Sequence, residues 1–340
     1  MILKQSNFIA RQTSVFLRQN VKICAFPNSE SWVILNAIEQ RIKSKIEAVG
    51  TPLKNWNINI YRGVLTGYNE AFIIDGRKKD KLISEDPKSA EIIRPILRGR
   101  DINRFGYNYS GQYLIALFPS KNYNIEDFPA VKKHLLTFGK DILIENGYGW
   151  LVNDYLEEWC YKRLDQTGNE ITINGEKIKF KGSENSRKAT NNKWFETQDS
   201  ISYWDDFNRQ KIVWIELADK GRFAFDSKDH YITLNGTFIM IGEDLEYLCC
   251  VLNNPVTSWH FNTFCISSGV GTNQWRELYV RELFIPDISL EEKMNLVSVF
   301  NEILVEKNQD VILHNQNLIN HLVYKIMNLD DEEIEFIESQ

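Results

Sequence analysis

Between Tyr113 and Gly242 the chain carries four stretches dominated by β-branched and aromatic residues: "YLIALF", "KIVWIEL", "RFAFD" and "YITLNGTFIMIG". Two apolar, helix-like runs follow at once, "LEYLCCVLN" and "PVTSWHFNTFC". Strands in succession with helices gathered after them restrict the centre of the chain to an α+β fold, mixed or antiparallel and β-rich, with flanking helices. From Leu290 to Leu329 the apolar residues Met294, Val297, Ile303 and Leu304, then Ile319, Leu322, Val323 and Ile326, recur at helical spacing and predict a C-terminal helical segment. The polar stretch from Gln309 to Gln316 leaves open whether it is one helix or two.

Upstream, "SESWVILNAIEQRIKSKIEAVGTP" reads as a helix: Val33, Ile34, Ala37, Ile38, Ile42 and Ile46 share a face, Gly50 can end it and Pro52 stops it resuming. "NINIYRGV" and "AFIID" read as strands, and Thr66-Gly67-Tyr68-Asn69 between them predicts a hairpin with an exposed polar tip. In "SEDPKSAEIIRPILRGRDI", Asp86 is placed to cap a short helix with Pro87 at its first position. Pro95 limits that helix to a turn or two, so "LRGRDI" is expected as its exit loop. Residues 146–192, rich in Gly, Asn and charge, predict a long insertion or binding loop with a small hairpin at "EITINGEKIKF".

No stretch approaches the roughly 18 apolar residues of a membrane span, and the amino end lacks a signal peptide's apolar core. A soluble, cytoplasmic protein with no membrane partner is the expectation. Its five cysteines, Cys24, Cys160, Cys249, Cys250 and Cys265, contain no C-x-x-C pair and predict buried, inert thiols. The net charge of −6 argues against a nucleic-acid partner only until its distribution is considered. The last eleven residues, "DDEEIEFIESQ", hold six acids and no base; without them 40 acids face 40 bases. That tail, residues 330–340, is expected to be disordered. A neutral body can still bind a duplex through a local positive face. Arg94, Arg98, Arg100 and Arg104 form one basic cluster, and Lys177, Lys179, Lys181, Arg187, Lys188 and Lys193 a second.

Much catalytic chemistry is missing. The chain has no Pro-Pro pair, and so no Asn/Asp-Pro-Pro-aromatic motif, and it lacks a P-loop, a dinucleotide fingerprint, a G-x-S-x-G elbow and an H-E-x-x-H helix. "PDISLEEK" superficially suggests a metal-dependent nuclease through Asp287, Glu291 and Lys293. The ordinary reading makes Ser289 a helix cap and Glu291 and Glu292 first-turn acids. His134, His230, His260, His314 and His321 are scattered without metal-ligand spacing. Most tryptophans are expected in cores, with Trp194, set among polar and basic residues, the exception.

The ordered series "IYRGVLTGYNEAFIID", "IIRPILRGRDINRF", "NNKWFETQD", "KIVWIEL", "GEDLEYLCCVLNN" and "VRELFIP" resembles the TaqI-like C-terminal specificity domain of type IIG (Eco57I-like) restriction-modification adenine-specific DNA methyltransferases. The resemblance runs from about Ser29 to the end. It implies that residues 29–288 form a target recognition domain, that 289–329 are a helical region beside it, and that 1–28 are a linker or remnant of the methyltransferase side. It also implies double-stranded DNA as partner, with a methyltransferase domain or subunit in cis or in trans. S-adenosylmethionine would belong to that methyltransferase part, and this chain would hold no cofactor, no metal and no catalytic residue. The C-terminal helices resemble a spacer that packs on a partner domain, although their apolar stripe equally suits this domain's own core.

The implied DNA contacts are Arg62, Thr66, Gly67 and Asn69 at the first tip, Arg98 and Arg100 in "LRGRD", Lys193 and Trp194, and Ser267, Ser268 and Asn273 in "SSGVGTNQW". Asparagine can pair in bidentate fashion with adenine, and arginine can hold a phosphate or read guanine, with Asp101 available to orient it. The alternatives are the nuclease and a protein-interaction fragment that does not bind DNA.

Overall fold

The computed structural model describes residues 35–135, 172–173, 176–177, 192–193, 195–266 and 271–340. Helix α1 (Ala37–Val49) opens with a capping box between Asn36 and Glu39 and stops at Gly50, as its pattern predicts; Ile42 and Ile46 are its buried residues. Val33 and Ile34 lie outside the described residues. Strands β1 (Gly50–Pro52) and β2 (Ile58–Arg62), a helical turn α2 (Asn69–Phe72), β3 (Ile73–Asp75) and α3 (Gly76–Glu85) follow. Then come β4 (Ile93–Leu97), β5 (Gln112–Ile115), α4 (Pro129–Leu135) and the antiparallel pair β6 (Thr172–Ile173) and β7 (Glu176–Lys177). That pair is the small hairpin expected in "EITINGEKIKF"; nearly all the rest of 146–192 lies outside the described residues.

The central strands fall where their composition puts them: β8 (Lys211–Ile215), β9 (Leu217–Ala218), β10 (Phe223–Asp226), β11 (Ile232–Thr233) and β12 (Thr237–Gly242). Helices α5 (Leu245–Leu252) and α6 (Pro255–Asn262), strand β13 (Asn273–Gln274), α7 (Glu277–Val280) and β14 (Phe284–Pro286) lead to the helical end, α8 (Leu290–Val305), α9 (Gln309–Ile326) and α10 (Asp331–Glu338). The fold class is α+β.

Two four-stranded sheets carry the architecture. The first, in the order β10-β8-β12-β2, is antiparallel throughout. The second, β11-β4-β5-β3, is antiparallel except for the parallel pair β11 and β4. Alternation along a strand sends neighbouring side chains to opposite faces, and in the first sheet both faces are buried. Ile212, Trp214, Phe223, Phe225, Phe238 and Met240 join the core formed with α1, α5, α6, α8 and α9. Val213, Ala224 and Ile239 join a second core with Ile74, Ile96 and Leu114 of the other sheet. The first sheet is therefore a partition between a helical layer and the second sheet. The helical end closes this chain's own core through Leu296, Phe300, Ile319 and Val323. Met294 and Leu304, expected on the buried stripe, are exposed.

Three expectations are corrected. The hairpin from Arg62 to Asp75 does not exist, because β2 pairs with β12 in the first sheet and β3 with β5 in the second. After Arg62 the chain continues beside 233–235: Val64 N–H donates to the Thr233 carbonyl and Asn235 N–H to the Val64 carbonyl, both at 2.8 Å. The turn residues serve a change of sheet, with Gly67 at φ 79°. "LRGRDI" leaves a strand rather than a helix: the helical turn Pro87–Glu91, with Asp86 as cap and Pro87 at its start, ends before β4. Pro95 sits inside β4 where only β5 runs alongside, the edge-like position in which a sheet tolerates proline.

The acidic tail is a helix. Asp330 and Glu333 form a capping box, Ile337 is buried, and the acids find cations nearly three hundred residues away. Lys45 lies 2.6 Å from Glu333 and 3.3 Å from Asp330, and Arg41 lies 2.6 Å from Glu332. The Glu333 side chain is fully buried, so Lys45→Ala would leave it short of its closest counter-charge. We expect a cost of about 1–3 kcal/mol, seen as a lowered melting temperature that 0.5 M salt does not restore; an unchanged melting temperature would remove this clasp from the fold's stability.

Candidate nucleic-acid interface

Strand direction gathers the polar ends of both sheets on one edge. β2 ends at Arg62 opposite the start of β12, and Thr237 of β12 pairs with Ile215 at the end of β8. β4 ends at Leu97 beside Thr233, and the turn Leu234–Gly236 carries the chain back into β12. β3 ends and β5 begins at the same level, where Asp75 pairs with Gln112. Gly99 fastens the two sheets: a Cβ there would stand 3.2 Å from the Ile215 side chain, a close approach that glycine permits. The edge is therefore built from loops anchored in buried strand interiors.

Arginines from three distant segments lie on it. Arg62 and Arg276 flank one carboxylate, with Arg62 Nη2 3.2 Å from Glu216 Oε2 and Arg276 Nε 2.8 Å from Glu216 Oε1. The two guanidinium side chains are 56% and 53% exposed, and that of Glu216 only 12%. Arg98 is steered by Asp101, as its sequence suggests: Asp101 Oδ2 accepts from the Arg98 backbone N–H at 2.9 Å, from Arg98 Nε at 3.4 Å and from Ser110 Oγ at 3.0 Å. Arg100 is exposed and makes no hydrogen bond or ion pair among the described residues. The other two members of that cluster are engaged by the protein itself. Arg94 donates to Asn208 and lies over the Trp204 ring, and Arg104 donates to the Asn253 carbonyl and to Asn320.

Around these cations stand groups suited to a duplex. Asn235 is exposed on a turn whose Gly236 (φ 89°) opens to free space. Leu217, which opens β9, is 54% exposed. Asn273 pairs with Ala218 of that strand, and its Nδ2 donates to Asn262 Oδ1, at the end of α6, at 2.7 Å. Tyr203 stacks on Tyr61 at 4.4 Å and donates to the Arg62 carbonyl at 2.7 Å, and burial pushes its hydroxyl pKa up to about 12, so it stays a donor. Helix α3 begins at the same edge with Arg77, Lys78 and Lys79. Cations at a helix N-terminus oppose its dipole; Lys79 is offset by Asp80 at 2.9 Å and lies over the Tyr113 ring.

Of the expected contact residues, the structure brings Arg62, Arg98, Arg100 and Asn273 to this edge and sets others apart. Thr66 is a correction: it is 1% exposed, and its hydroxyl donates to Asn69 Oδ1 and accepts from the Tyr68 N–H, fastening the sheet-crossing segment. Gly67 supplies the turn and Asn69 starts α2, before β3 reaches the edge. Lys193 is held at Asn122 Oδ1, 2.8 Å away. Trp194, Ser267 and Ser268 lie outside the described residues. Glu216, Arg276, Leu217 and Arg77 escaped the sequence reading. Asn235-Gly236, a strong turn signal between strands, would have marked its own place.

The nuclease string does not assemble. Ser289 and Glu292 form a capping box, and Lys293 is bonded to Asp244 at 2.7 Å. Among the described residues no group of three His, Cys, Asp or Glu side chains is placed to hold a metal, and no helix is long and apolar enough to cross a membrane. Cys249 and Cys250 are buried and burial raises both thiol pKa values; Cys265 is raised to about 11 by the same cause.

Residues 165–285 match the family model of the TaqI-like C-terminal specificity domain, a span holding Glu216, Asn273 and Arg276 but not Arg62, Arg98 or Arg100. Solved structures similar to this chain include two restriction-modification enzymes. The type IIL restriction-modification enzyme MmeI in complex with DNA aligns at TM-score 0.47 and 10% identity, over 85% of this chain and 36% of that one. The type IIG restriction endonuclease BpuSI aligns at TM-score 0.46 and 12% identity, over 85% and 32%. The chain thus spans about a third of the length of each. No curated protein matches it.

Proposed function

We propose that this chain, whose residues 165–285 match a TaqI-like specificity domain, is a sequence-specific recognition module for double-stranded DNA in a restriction-modification system. The observation that carries the reading is the shared strand-end edge, where Arg62, Arg98, Arg100 and Arg276 converge although the protein as a whole is acidic. The finer reading, of the type IIG kind, is that the module directs adenine methylation, and cleavage, performed by another domain or chain in cis or in trans. S-adenosylmethionine belongs to that partner in this reading, and no step of this chain's own work runs through it. Its work is to hold phosphates through Arg100, which has no acid partner among the described residues, and to place donors against base edges.

Two salt concentrations and a randomised duplex pool test the reading. Sequencing the retained DNA should return a short motif bound at least about 10³-fold above random DNA; retention equal on all sequences, or none at low salt, would refute it. Arg100→Ala should weaken binding on every sequence alike and lower the salt slope by about one, with the selected motif unchanged. A changed motif would make Arg100 a base reader instead.

A further inference from the structure

We propose that Glu216 sets specificity as a positioning residue, presenting Arg62 and Arg276 as a pair of guanidinium forks to guanine bases. The inference rests on the DNA-recognition reading above and adds which residues read, and what they read. Glu216 sits behind its two partners: its carboxylate is mostly covered and both guanidiniums face solvent. Its backbone is pinned on both sides, the N–H donating to the Gly236 carbonyl at 2.8 Å and the carbonyl accepting from the Trp275 N–H at 2.6 Å. Trp275 is fully buried, stacked on Phe261 at 3.7 Å, and its carbonyl accepts from Trp214 Nε1. Arg276 follows that fixed tryptophan directly, and Arg62 ends β2 with its carbonyl held by Tyr203.

Exposed ion pairs of this kind add little to stability. What the arrangement supplies is orientation. A guanidinium has five N–H donors in a rigid fork, and Glu216 occupies Nε of Arg276 and Nη2 of Arg62, leaving the remaining donors of each facing outward. A guanine offers two acceptors, O6 and N7, to such a fork in the major groove. The acid also separates these arginines from Arg100. A carboxylate 3 Å from two cations lowers their pull on a phosphate, whereas Arg100 has no acid partner among the described residues. The edge thereby divides labour: Arg100 for the backbone, and Arg62 with Arg276 for bases.

The test sequences the duplexes retained by the wild type and by Arg62→Lys, Arg276→Lys and Glu216→Gln, with a melting temperature for each. The wild-type motif should contain guanines. Each lysine variant keeps the charge and should lose about tenfold or more in preference at one guanine, a different one for each. Glu216→Gln should blur both positions together and raise retention of random DNA, because a negative charge is gone from the edge. A wild-type motif without guanine, or a motif unchanged in all three variants, overturns the proposal while leaving DNA recognition standing. A lowered melting temperature in Glu216→Gln with an unchanged motif would make Glu216 merely structural and overturn it too. If the wild type selects no motif at all, the recognition reading falls and takes this inference with it.

Discussion

Asp226→Ala should lower the unfolding free energy by about 3–5 kcal/mol, a large share of the roughly 5–15 kcal/mol that keeps a globular domain folded. Lys211 and Asp226 face each other in the β8–β10 register, both side chains fully buried, with Nζ 2.7 Å from Oδ2. Lys211 also donates to the Phe207 carbonyl at 2.9 Å. Asp226 accepts three backbone N–H groups besides, from Asp229 and His230 at 3.1 Å and Tyr231 at 2.8 Å, so it organises the turn that leads into β11. Burial pushes the lysine pKa down and the aspartate opposes that shift. Removing the acid strands a buried cation and three backbone donors at once. Lys211→Met should cost less, because those N–H groups still satisfy the aspartate. Urea unfolding of the three proteins checks the order; an Asp226→Ala loss below about 1 kcal/mol would mean that water reaches the pair.

Acidification should destabilise the protein through two histidines before most carboxylates titrate. His134, bonded through Nε2 to the Ala71 carbonyl at 3.0 Å, and His260, edge-on to Phe264 and Phe284, are both buried. Burial lowers each pKa from 6.5 to about 4. Between those values the unfolded chain binds a proton that the folded chain refuses, so stability rises with pH across the window and is lost as pH falls from 6.5 towards 4. From pH 7 to pH 5 each histidine should cost about 2 kcal/mol. Urea unfolding of the wild type and His260→Gln at several pH values isolates one of them. Their difference in stability should shrink by about 2 kcal/mol over that range; a constant difference would show that His260 protonates in the folded state.

The parts of the fold legible in the sequence were those fixed by local pattern. Ile212 to Ile215 and Phe238 to Ile241 are continuous apolar runs because both faces of their sheet are covered, and Asp86, Ser289 and Gly50 act locally at helix ends. What failed depended on distant partners. The glycine and asparagine after Arg62 mark a turn, yet the segment changes sheets because 233–235 is there to receive it. The acids from Asp330 onward read as a solvated tail only while Arg41 and Lys45 are out of sight. The site divides in the same way. Arg98, Asp101 and Arg100 are neighbours in sequence and could be paired on paper, whereas Glu216 and Arg276 lie sixty residues apart and meet through the Trp275 N–H and the β9–β13 pair.

The separation of edge from interior also bears on how such a module can change over time. Register is held by buried pairs such as Ile239 with Val213 and Met240 with Ile212, while Arg62, Arg100, Asn235 and Arg276 stand at or beyond the strand ends. Drift at those ends alters what the edge contacts without shifting a ladder bond, and drift in the ladder alters stability without rewriting the edge. On the recognition reading proposed above, preference and foldability are carried by different residues, so one target could be exchanged for another by small steps, each of which still folds.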